Sequence, residues 1–132
     1  MQMHLPQLLY ERLGNLFYAI AAADRGVRQK EETRLLEKIQ SIWAPAESSS
    51  DAFGTDLAHY IFISFDFLHA QQADPETAFR QFEDFYRTHA SAFSPQVKKN
   101  ILRTAEAIAE AFSGINKCER AYLSRLEKLL NQ

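Results

Sequence analysis

Apolar residues at Leu5, Leu8, Leu9, Leu13, Leu16, Phe17 and Ile20 recur mostly at steps of three and four, which predicts an amphipathic helix over about residues 5 to 24, ended by Gly26. The same period through Leu35, Leu36, Ile39, Ile42 and Trp43 predicts a second helix over about residues 29 to 43, with Pro45 stopping it. PAESSSDAFG at residues 45 to 54 reads as a loop. Residues 55 to 72 open on Thr55 as an N-cap and carry YIFISFDFL, which fits a buried helix or a strand on local pattern alone; helix is chosen because no second strand exists to pair with it. Asp74-Pro75 and Ser94-Pro95 each set a capping side chain before a proline at the first helical position, so helices are expected to start at both. The fourth helix carries Phe79, Phe82, Phe85 and Tyr86. The fifth carries Val97, Ile101, Leu102, Ala105, Ile108 and Ala109. A sixth opens at Asn116, where Glu119 completes a variant of the capping box. The expected fold is all-α: one compact bundle of about six helices forming a single domain over residues 1 to 132.

The pattern also repeats. AIAAADRGVRQKEETRLL at residues 19 to 36 aligns without a gap on AIAEAFSGINKCERAYLS at residues 107 to 124, matching at Ala19/Ala107, Ile20/Ile108, Ala21/Ala109, Ala23/Ala111, Gly26/Gly114, Glu31/Glu119 and Leu35/Leu123, with Val27 against Ile115. This predicts a pseudo-twofold pair of helix-turn-helix units. The copies differ where chemistry would sit, since Asp24 in the first faces Phe112 in the second.

Written as Ala-x-Ala-x-Ala-Asp-x-x-Val-x-x-x-Glu over residues 19 to 31, the motif resembles the tellurite-resistance protein B (TerB-like) family, whose members carry an Ala-Asp-Gly turn, then Val or Ile, then Glu. Asp24, Val27 and Glu31 match, as do Ile115 and Glu119. Arg25 stands at the usual Gly, Arg28 at a usual capping residue, and the second copy lacks the Asp. The resemblance implies a non-enzymatic helical protein with a stress-related role and an acidic surface for a divalent cation. On this chain it carries over to Asp24, Glu31 and Glu119 alone.

Composition changes this picture little. With 46% hydrophobic and 24% charged residues, the chain has the make-up of an ordinary globular domain, long enough to bury about two thirds of its unfolded surface. Fifteen basic against seventeen acidic residues leave a net charge of −2, which offers nothing to nucleic acid or an anionic membrane. No apolar run approaches the roughly twenty residues of a membrane span, the longest being LFYAIAAA at residues 16 to 23. The opening MQMHLPQLLYERLG lacks the pattern of a secretory leader, and Cys118 is a lone cysteine; both lean to the cytoplasm.

Of the candidate chemistry, Asp24 stands out as a carboxylate expected in the last turn of a helix, against the negative end of its dipole. Either a cation, Ca²⁺ or Mg²⁺ by its oxygen ligands, compensates it together with Glu31, or Asp24 accepts backbone N–H groups of the next helix while Glu31 serves that helix's first turn. His59, Asp66 and His69 fall on one broad helical face, but the second carboxylate-x-x-His motif of a di-metal bundle is absent. The phenylalanines at 53, 62, 65, 67, 79, 82, 85 and 93 have the spacing of a core, and Cys118 reads as a small apolar side chain. No phosphate loop, nucleophile elbow or zinc pair occurs. Two functions remain: a TerB-like protein with a cation at the acidic turn, or a module that binds another protein or a second copy of itself without an ion.

Overall fold

The computed structural model describes residues 5–24, 27–46, 57–111 and 115–131. Six helices account for most of them: α1 (Leu5–Ala21), α2 (Gln29–Lys38), α3 (Tyr60–Ala70), α4 (Pro75–Thr88), α5 (Pro95–Glu110) and α6 (Lys117–Leu130). No strand occurs among the described residues, so the all-α bundle expected from the pattern is the fold.

Helix α1 is the hub. It packs most closely on α3 and α4, and also against α5 and α6. Its second half is sealed on every side, with Leu13, Leu16, Phe17, Ala19 and Ile20 fully buried and Tyr18 and Ala21 nearly so. A helix apolar all round can only be stable when it is enclosed. Gly14 permits the closest approach: a Cβ there would lie 2.5 Å from the Ile61 carbonyl oxygen and 2.7 Å from Ser64 Cβ of α3.

Local signals set several helix starts. Asp74 Oδ2 accepts the Thr77 N–H at 3.0 Å and Ser94 Oγ accepts the Val97 N–H at 3.2 Å, each ahead of its proline. Helix α3 is shorter than its pattern, entered through a 3₁₀ turn at Leu57–His59. Helix α1 ends at Ala21, three residues short of the expected end. Beyond α2 the chain widens into a π-helical turn, Ile39–Trp43, and carries a further helical turn, Ala44–Ala46, so Pro45 lies inside the helix end instead of stopping it at Trp43. The Ala44 N–H reaches back to the Ile39 carbonyl, the longer step of a π turn. That turn delivers Trp43 to the core, where it packs edge-on against Tyr10 and its Nε1–H donates to Thr104 Oγ1 of α5 at 3.0 Å. The loop expected over residues 47 to 54, the Thr55 cap and the turn glycines Gly26 and Gly114 lie outside the described residues.

Candidate functional site at the paired helix starts

Helices α2 and α6 begin alike. At the start of α6, Asn116 Oδ1 accepts the Glu119 N–H at 2.8 Å, and Glu119 Oε1 accepts the Asn116 N–H at 3.1 Å, a complete capping box. At the start of α2, Glu31 Oε1 accepts the Arg28 N–H at 2.9 Å. Arg28 has no side-chain acceptor to return, so the Glu31 N–H bonds the Arg28 carbonyl oxygen at 3.0 Å and only half a box forms. Val27 and Ile115, immediately upstream, are both half-buried against the core. The two turns are therefore anchored in the same manner, as the repeat predicts.

The fold brings these starts face to face. Glu31 is 1% exposed and Glu119 4%, and the two carboxyl groups lie close enough to act on each other's ionisation. Two carboxylates in one buried place cannot both ionise without large repulsion. Burial, with the Glu119 carboxyl beside it, pushes the Glu31 carboxyl up from 4.5 to about 7, against the lowering pull of the Arg28 N–H and guanidinium. Burial raises Glu119 too, while the Asn116 N–H, the neighbouring Glu31 carboxyl and the Arg28 charge hold it down. Both carboxyls are thus pushed towards the protonated form.

Asp24 sits at the rim of this pair. It lies beyond the end of α1, exposed, and its Oδ2 accepts from Asn116 Nδ2 at 3.4 Å. Asp24 follows the last turn of α1 and is not part of it, contrary to the expectation from the sequence. The structure therefore assembles Glu31 and Glu119 into one contact and places Asp24 beside them through Asn116.

A Ca²⁺ or Mg²⁺ ion fits this donor set poorly. One oxygen of each glutamate is taken by a backbone N–H, and Ca²⁺ asks for six to eight oxygens. Among the described residues no group of three or more His, Cys, Asp and Glu side chains is placed to hold a metal ion.

The other candidates separate. His59 and Asp66 are exposed, whereas His69 is half-buried in a different depression beside Tyr18 and Gln72. Cys118 is exposed at the first turn of α6, not the small apolar filler its sequence context suggests. Phe65, Phe79 and Phe82 are fully buried and Phe85 and Phe93 nearly so, as their spacing predicts, and Phe62 is half-buried; Phe53 lies outside the described residues. Phe67 departs from the core reading. It is 60% exposed, and Ile63 one turn earlier is 42% exposed. A groove of about 520 Å³ runs beside them, with Glu11, Arg12 and Asn15 of α1 and Gln81 of α4 on its far side.

The periodicity carries no sign of a further polar cluster. Glu76 of α4 takes a two-pronged bond from Arg125 of α6 at 2.6 and 3.1 Å, with Arg80 at 3.0 Å and the Tyr122 hydroxyl at 3.2 Å. Arg125 foremost, with Arg80 and Tyr122, holds the Glu76 carboxyl down at about 2. It ties α4 to α6 and is saturated by its own partners.

No helix among the described residues is long and apolar enough to cross a membrane. No protein-family model, curated protein or solved structure matches the chain.

Proposed function

We propose that this chain is a non-catalytic, TerB-like helical module of the cytoplasm that works by docking another protein surface onto the outer face of α3. The observation that carries the reading is the exposure of Phe67 and Ile63, the two large apolar side chains that remain exposed among the described residues. Both lie on one helix, one turn apart, and border the same groove. On an otherwise well-enclosed bundle these two side chains are the surface best suited to apolar contact with another protein. The family part of the reading, with its stress-related role, rests on the Asp24, Val27, Glu31, Ile115 and Glu119 pattern.

The test is a photo-crosslinking residue placed at position 67 and, as a control, at the exposed Glu127 on α6. Irradiation in a lysate of the source cells is expected to give discrete adducts from position 67 and none from position 127. Equal adducts from both positions, or none from position 67, would refute docking on α3.

A further inference from the structure

We draw no further inference here: the strongest candidate, a pH-sensitive junction at the buried Glu31 and Glu119 where the starts of α2 and α6 face each other, belongs to the site already described and rests on nothing beyond the shifted ionisation of that acidic pair.

Discussion

Glu31→Gln tests the buried carboxyl pair directly. The glutamine side chain would keep the native acceptor, its Oε1 taking the Arg28 N–H, and would stay neutral beside Glu119. What it removes is ionisation. The folded-state value of Glu31, about 7, lies above the ordinary 4.5, so the folded protein prefers the protonated form. Stability from this group is therefore full below about pH 4.5, declines as pH rises through the window from 4.5 to about 7, and is flat above it. At 1.36 kcal/mol per unit, a rise of that size costs the wild type about 3 kcal/mol at pH 8, an upper figure because the pair shares its burden with Arg28. Urea melts at pH 4.5, 6, 7 and 8 measure the difference, and the other carboxylates cancel because both proteins carry them. The variant and wild type are expected to agree within about 0.5 kcal/mol at pH 4.5, and the variant to gain up to about 3 kcal/mol by pH 8. A difference that does not change with pH would mean that the two glutamates do not meet in a buried contact, and the paired-start site would be wrong.

Gly14→Ala would ordinarily favour a helix by about 1 kcal/mol, but the Ile61 carbonyl at 2.5 Å from the new methyl should reverse the sign and destabilise by about 1–3 kcal/mol in a denaturant melt. Thr104→Val leaves the buried Trp43 N–H without its acceptor and is expected to cost about 1–3 kcal/mol, with a change in tryptophan fluorescence. Arg125→Met should cost less than about 1 kcal/mol at pH 7, since both side chains of the Glu76 pair are more than a third exposed. Because Glu76 is held low, its contribution is present above about 4.5 and lost as pH falls towards 2, so the variant's acid limb should be shallower than wild type's. Val27→Asp and Ile115→Asp each put a charge at a half-buried anchor of the repeated turn and should cost about 1–3 kcal/mol; if both melt like wild type, those turns do not anchor their helices.

Local chemistry was legible in the chain. Asp74-Pro75, Ser94-Pro95 and Asn116 with Glu119 dictate helix starts through atoms within three residues of one another, and all three form as read. The repeat was legible too, and it held an unused clue: residues in equivalent register, such as Glu31 and Glu119, meet when two such units pair about a pseudo-twofold axis. Whether they pair that way depends on how α2 and α6 are laid around α1, and no spacing along the chain encodes that. Phe67 shows the same limit from the other side. Helix α3 is apolar around most of its circumference, so periodicity cannot distinguish Phe65, fully buried, from Phe67, largely in solvent. The missing Cβ of Gly14 lets α1 lie directly on Ile61, Ser64 and Phe65, a close approach that only the packed helices reveal. Sequence determines which residues can form a helix and where it begins, through contacts a few bonds apart; which face is covered, and which buried charges become neighbours, is settled only when distant helices compete for the same volume.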